Sequence, residues 1–229
     1  MKLIYPIVAG SLLMLSDLAF SQTFIQPNFG LKSHETLVID KVELTSTAAT
    51  FFMSIENRIA NGSFCADKNI VIVYPDGTRS KLLSSENIPV CPDNHKFKEP
   101  GEKLDFTLTF PPLKQGTEWI DLIEDCSDNC FSFYGVTLNN DLNRKIDEAF
   151  SLSANDEPVK AMINFIDIAE AVDKKNLGIE GFLYINIIRL EKQNGNEVKA
   201  AQWYNILKSS GAPRLQQYIK YLNDLGIRY

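Results

Sequence analysis

The four cysteines of the chain, Cys65, Cys91, Cys126 and Cys130, are the residues best suited to covalent or metal chemistry. An even number of cysteines in an exported chain predicts two disulfides, for which three pairings are open. We favour Cys126–Cys130, which closes a tight loop, and Cys65–Cys91, which ties the entry of a strand to a proline-rich loop. A C-x3-C pair with two distant single cysteines is not a usual zinc-ribbon spacing, and no redox C-x-x-C is present. The cysteines therefore predict structural disulfides, with no metal and no cofactor.

Asp121, Glu124, Asp125 and Asp128 form the densest acidic group. Paired carboxylates could hydrolyse glycosidic bonds, and carboxylates together with backbone carbonyls could hold calcium. The spacing D-x-x-E-D-x-x-D lacks the glycine and the regular oxygen ligands of an EF-hand loop. We therefore favour a third interpretation, a solvated acidic loop at the end of a strand.

A hydrolytic nucleophile needs a nearby base, and the chain has only two histidines, His34 and His95. The sequence contains no G-x-S-x-G motif and no phosphate-binding or dinucleotide-binding glycine motif. If Cys91 is oxidised, it cannot serve His95 as a nucleophile. We assign no catalytic residue, and the sequence predicts a protein that is not an enzyme.

Four aromatic residues of the C-terminal part, Tyr184, Trp203, Tyr204 and Tyr218, are candidates for a ligand or partner surface. They could line a groove for a peptide. Aromatic residues at helical spacing more often pack between helices, and this second interpretation is the one we favour.

Residues 1–21 have the composition of a signal peptide. Lys2 provides a basic start, residues 3–15 are largely apolar, and Ala19-Phe20-Ser21 fits the small-x-small cleavage pattern. The apolar run is shorter than the about 20 residues that a spanning helix needs, and no later segment is long and apolar enough to span. We therefore expect an exported protein, periplasmic or secreted, without a membrane span in the mature chain.

The net charge of −6 comes from the residues before Asn143. Neither half of the chain carries the basic patch that nucleic-acid binding requires. The charge therefore excludes nucleic acid as a partner and leaves another envelope protein or a peptide.

Residues 22–140 are predicted to form a β-sandwich. Apolar residues alternate with polar ones over 104–110, and apolar runs at 119–123 and 131–138 flank the loop of Cys126 and Cys130. Pro75-Asp76-Gly77-Thr78 is typical of a hairpin turn. About seven short strands separated by turn signals favour an antiparallel immunoglobulin-like sandwich, with a jelly roll as the alternative.

Residues 141–229 are predicted to be helical, so the fold class is α+β with the two parts segregated along the chain. Apolar residues recur at helical spacing from Ile146 onwards, and Pro158 fits the first turn of a helix. Asn194-Gly195, Gly211 and Pro213 mark the ends of helices. The pattern indicates an antiparallel array of about five helices.

The stretch from Asn196 to Lys208, followed by Ser210-Gly211-Ala212, resembles the second helix of a Sel1- or TPR-type repeat. Ala200, Trp203 and Tyr204 fit the small residue and the aromatic pair of that helix. The segments PPLKQGTEWIDLIED and FSFYGV resemble the β-sandwich domain of uncharacterised exported bacterial proteins. These resemblances imply a sandwich followed by helical repeats, and they imply no activity.

The sequence thus favours an exported, non-enzymatic binding or scaffold protein of the cell envelope. A secreted glycan hydrolase that uses carboxylates of the group at 121–128 is one alternative. An accessory domain of a thiol-disulfide system is another.

Overall fold

Strands precede helices along the chain in the computed structural model, which describes residues 21–127, 129–172 and 178–229. The predicted signal peptide, residues 1–21, lies outside the described residues apart from Ser21. The change from strands to helices falls between Thr137 and Asn140. The predicted fold class, a segregated α+β chain, is confirmed.

The described residues form twelve strands. They are β1 (Ser21–Ile25), β2 (Leu31–Lys32), β3 (Leu37–Thr45), β4 (Ala49–Glu56), β5 (Ser63–Phe64), β6 (Ile70–Val73), β7 (Arg79–Lys81), β8 (Ser84–Glu86), β9 (His95–Lys96), β10 (Lys103–Phe110), β11 (Trp119–Glu124) and β12 (Ser132–Thr137). The seven predicted strands correspond to β3, β4, β6, β7, β10, β11 and β12. Of the other five, only β1 is longer than three residues.

The strands form two antiparallel five-stranded sheets and one small two-stranded sheet. The first sheet has the order β1-β3-β4-β10-β8, the second has the order β2-β12-β11-β6-β7, and β5 pairs with β9. In immunoglobulin letters, the series β3, β4, β10, β8 corresponds to strands A, B, E and D, and β12, β11, β6, β7 to strands G, F, C and C′. The strand order therefore agrees with the immunoglobulin-like topology expected from the sequence.

The core of the sandwich lies between the two sheets. Every second residue of β4 is buried, from Ala49 to Ile55, as the period of two requires. Phe51 of β4 and Phe110 of β10 meet edge to face, with ring centroids 5.6 Å apart. Burial of each such side chain contributes about 1.5–3 kcal/mol to stability.

Five helices follow in the described residues. They are α1 (Asn140–Ala154), α2 (Pro158–Val172), α3 (Glu180–Gln193), α4 (Glu197–Ser209) and α5 (Leu215–Asp224). Asn139 caps α1, because its side-chain oxygen accepts hydrogen bonds from the backbone N–H groups of Asp141 and Leu142, each at 3.1 Å. Within the described residues no helix combines the length and the hydropathy needed to cross a membrane.

The helices pack on the outer face of the second sheet. In β11, Ile120 and Leu122 belong to the sandwich core, whereas Trp119 belongs to the helical core. Glycines allow this close approach. A Cβ atom on Gly178 would lie 2.7 Å from the ring of Trp119, and one on Gly135 would lie 2.5 Å from the carbonyl oxygen of Gly178.

A bulge between β11 and β12 presents Asp121 to the helices. The register shifts between Ile120 and Leu122, and Gly135 on the opposite strand has a φ of +66°, as in a G1 bulge. Asp121 accepts a hydrogen bond of 2.8 Å from the backbone N–H of Gly135 and forms an ion pair with Arg214. The Arg214 guanidinium lies 3.9 Å from the centre of the Tyr134 ring. We call this group of contacts the joint between the sandwich and the helices.

Candidate ligand-binding cleft at the loop end of the sandwich

Four connections meet at the end of the sandwich away from the start of α1. They are residues 33–36, 57–69, 87–102 and 125–131, and the register of the strands places them together. Ile55 pairs with Leu37 and with Leu104, and Glu124 pairs with Ile70. In variable immunoglobulin domains the corresponding B–C and F–G loops are binding loops.

All four connections, with the last residues of β4 and β11, line a cleft of about 690 Å³, here called the loop-end cleft. Its lining includes His34, Asn57, Ile59, Phe64 and Asp67, together with residues of 91–97. Its volume falls in the range of about 300–1,000 Å³ that is usual for ligand sites. The cleft is built from irregular loops, so no periodic pattern in the sequence predicts it.

The connections 57–69 and 87–102 are joined along much of their length. The Cys65–Cys91 disulfide links them with a Cα–Cα distance of 5.3 Å. The N–H of Ala66 donates to the carbonyl of Pro89, and the N–H of Cys91 donates to the carbonyl of Ala66, both at 3.0 Å. The small β5–β9 sheet adds a second line of contact. These contacts preorganise one wall of the cleft.

Asn57 fixes the same two connections at the end of β4. Its side-chain amide donates hydrogen bonds of 2.9 Å to the carbonyls of Ile59 and Glu99. Gly62 is required beside it, because a Cβ atom there would overlap the Asn57 side-chain oxygen. A buried amide with bonds to both loops holds them in one relative position.

Glu124 joins 57–69 to the loop 125–131. Its carboxylate accepts hydrogen bonds from the backbone N–H of Asp67 at 2.7 Å and from that of Phe131 at 2.9 Å. The residue is only 6% exposed. Burial, partly opposed by these two bonds, raises the pKa of Glu124 above its usual value. Glu124 therefore acts as a polar clamp at the floor of the cleft.

The loop of the second disulfide is held from the other side. Cys126 and Cys130 are bonded, so the structure contains both disulfides favoured from the sequence. The hydroxyl of Ser33 accepts a hydrogen bond of 2.8 Å from the N–H of Ser132. Next to it, burial lowers the pKa of His34, and its ring lies 6.4 Å from that of Phe64. The cleft is thus lined by neutral polar groups, aromatic rings and a few charges.

The rim of the cleft carries an exposed apolar side chain. Ile59 is 67% exposed, although it lies beside the buried Asn57. Arg58 next to it pairs with Glu35 at 3.1 Å, so its charge is largely balanced. An exposed aliphatic group at the mouth of a preformed cleft is a natural contact for a partner.

The four aromatic residues lie elsewhere. Tyr184, Tyr204 and Tyr218 are buried in the helical core, and Trp203 packs partly buried against it. The rings of Tyr184 and Trp203 are 6.0 Å apart. Desolvation raises the pKa of Tyr218 far above its usual value. Their burial supports the packing interpretation over a ligand or partner surface.

The acidic group does not form one site. Asp121 faces the helices and Glu124 lies at the floor of the cleft, because residues three apart on a strand point to opposite faces. Asp125 forms an exposed ion pair with Arg79 at 3.3 Å, and Asp128 lies outside the described residues. The expectation of a solvated acidic loop is wrong for Asp121 and Glu124, because both residues are buried.

No group of three or more histidine, cysteine, aspartate or glutamate residues is placed to hold a metal ion in the part of the chain that the structure describes. His95 lies outside the cleft lining, with its ring against Phe97 and its Nε2 3.5 Å from Glu102.

Comparisons with protein-family models, with curated proteins and with solved structures find no match.

Proposed function

We propose that this chain is an exported, non-enzymatic binding protein of the cell envelope, and that its loop-end cleft takes a segment of another protein. The observation that carries the proposal is the cleft of about 690 Å³ whose loops are cross-linked by the Cys65–Cys91 disulfide and by the buried side chains of Asn57 and Glu124. Loops ordered before binding lose little conformational entropy when a partner arrives. Such order is what a recognition surface needs.

The compartment is supported by two independent features. Two disulfides in the structure are consistent with an oxidising environment outside the cytoplasm. The composition of residues 1–21 agrees with an export signal. A cell-envelope location brings the chain into contact with other exported proteins, which are the partners we propose.

A capture experiment with matched variants tests the role of the cleft. The oxidised mature chain is immobilised, exposed to envelope extract, and the bound proteins are identified by mass spectrometry. Ile59→Glu changes the exposed rim of the cleft. Leu83→Glu is the control, because Leu83 is similarly exposed, at 63% against 67%, but bonds to Thr109 near the opposite end of the sandwich.

We expect the wild-type chain and Leu83→Glu to enrich the same protein, and Ile59→Glu to lose most of that enrichment. The captured protein is then purified and its affinity for all three chains is measured by calorimetry. The proposal is refuted if Ile59→Glu binds as tightly as Leu83→Glu, or if the wild-type chain enriches no protein.

A further inference from the structure

Gln26, between β1 and Pro27, has a backbone conformation that both its own type and the following proline disfavour. Its φ is +43°, in the left-handed region where the Cβ atom comes too close to the following carbonyl oxygen. A residue before proline is, in addition, confined to extended conformations. Among the described residues, four of the six non-glycine residues with positive φ are asparagine or aspartate, whose short polar side chains tolerate this region. Glutamine has no such advantage, so Gln26 is strained.

The strain at Gln26 is imposed by the packing on its two sides. On one side, Phe24 of β1 lies in the sandwich core and is only 2% exposed. On the other side, Pro27 is buried, and the N–H of Asn28 donates a bond of 2.8 Å to the side chain of Asn143 in α1. Between these fixed points the chain passes from the first sheet to the second. A strained conformation persists only where the surrounding structure holds it in this way.

β1 is a short strand that can be exchanged between two copies of the chain. It lies at the edge of the first sheet and pairs with β3 over five residue pairs. Apart from Phe24, its residues are exposed. If β1 leaves its own β3 and pairs with β3 of a second copy, it makes the same hydrogen bonds and places Phe24 in the same part of the core. The contacts of β1 are therefore equal in the two arrangements, and the conformation of the hinge decides between them.

The strain at the hinge favours the exchanged arrangement. In an exchanged pair, residues 26–27 run from one copy to the other, and Gln26 can adopt the extended conformation that Pro27 prefers for it. Short hinge loops under strain promote exchange of this kind. Ile25, next to the hinge, is 66% exposed. Because the two hinges of a twofold-symmetric pair lie close to each other, this side chain gains an apolar neighbour only when two copies exchange β1.

We propose that two copies of this chain form a dimer by exchange of β1. In this dimer β1 of each copy pairs with β3 of the other, Phe24 enters the core of the other sandwich, and Gln26 and Pro27 form the extended hinge. The partner at this surface is thus a second copy of the chain. None of the residues named at the loop-end cleft takes part, so the inference is independent of the proposed function, and each copy in the dimer keeps its own cleft.

Size-exclusion chromatography with light scattering tests for the dimer. The oxidised mature chain is unfolded in urea with its disulfides intact, and it is refolded at micromolar and at millimolar concentration. We expect a monomer at the lower concentration and a separate dimer at the higher one, because exchange requires two chains to meet whereas the closed form requires one. A chain that remains monomeric after refolding at millimolar concentration would overturn the proposal.

Paired cysteine substitutions distinguish strand exchange from any other dimer. Thr23 and Glu43 lie directly opposite each other on β1 and β3. When Thr23→Cys and Glu43→Cys are combined and oxidised after monomer and dimer have been separated, we expect a disulfide between chains in the dimer and within one chain in the monomer. The control combines Thr50→Cys and Thr109→Cys, which are opposite on β4 and β10 and should link within one chain in both forms. Non-reducing gels and mass spectrometry of the linked peptides give the result, and a β1–β3 link within one chain of the dimer would overturn the proposal.

Two substitutions of Gln26 test the role of hinge strain. Gln26→Gly removes the Cβ atom and with it the strain in the monomer, so we expect the association constant of the dimer, which contains two hinges, to fall by about tenfold or more. Gln26→Ala is the matched control, because it removes the rest of the side chain but keeps the Cβ atom, and it should dimerise like the wild-type chain. Sedimentation equilibrium measures the constants, and circular dichroism checks that both variants are folded. Equal association constants for Gln26→Gly and Gln26→Ala would overturn the proposal.

Discussion

The ion pair at the joint makes a quantitative prediction for Asp121→Asn. The Asp121 side chain is 5% exposed and that of Arg214 is 23% exposed. Asparagine keeps an oxygen that can accept from the N–H of Gly135, so the substitution removes mainly the charge attraction. Two unit charges 4 Å apart attract by about 4 kcal/mol at an effective dielectric constant of 20. Because solvent reaches Arg214, we discount this value and expect a loss of about 2–3 kcal/mol.

The assay is urea unfolding of the oxidised chain, followed in parallel by circular dichroism and by tryptophan fluorescence. For a chain of this size the same loss lowers Tm by about 4–12 °C. Asp125→Asn, just after the end of β11, is the control, because Asp125 and Arg79 form an exposed pair, with side chains 65% and 57% exposed. Exposed pairs contribute about 0–1 kcal/mol.

A double substitution makes the test specific to the pair. In a background of Arg214→Met, Asp121→Asn should cost much less than it does in the wild-type chain, because its partner is already absent. Equal losses for Asp121→Asn and Asp125→Asn, or an unchanged loss in the Arg214→Met background, would refute the view that this pair stabilises the joint.

Three further changes should each lower the stability of the chain. In Glu124→Gln, the amide N–H₂ faces one of the two backbone N–H groups that donate to the carboxylate, so two donors oppose each other. We expect the free energy of unfolding in urea to fall by about 1–3 kcal/mol, and an unchanged value would contradict this prediction. Gly135→Ala should cost more than about 1 kcal/mol, because alanine is strained at a φ of +66° and its methyl group would press on Gly178; an unchanged Tm would contradict the described bulge. Serine at both Cys65 and Cys91 opens a loop with a separation of 26 residues, for which chain entropy predicts a loss of about 3.5 kcal/mol; a loss below about 1 kcal/mol would show that the paired loops hold without the bond.

Local patterns in the sequence were sufficient to predict the longer strands and the helices. The alternation in β10 and the helical spacing in α5 each reflect one buried face, which is a property of neighbouring residues. The short strands β5 and β9 have only two residues each, too few to show any period. Their existence depends on the pairing of distant loops and could not be predicted.

The loop-end cleft and the joint are formed by contacts between residues far apart in the chain, so the sequence alone could not predict them. Asp121 and Arg214 are separated by 93 positions, so the acidic segment alone indicated a solvated loop.

The first two strands of the described residues include one with a very distant partner. Residues 21–32 pair with β3 through β1 and with β12 through β2. Between them, the N–H of Asn28 donates a bond of 2.8 Å to the side chain of Asn143, 115 positions away. Contacts across such separations form slowly, because a long loop must close before they are made. Until β12 and α1 have been synthesised, β2 lacks its partner strand and stays open to strands of other chains, so incomplete and newly made copies are the most prone to aggregate.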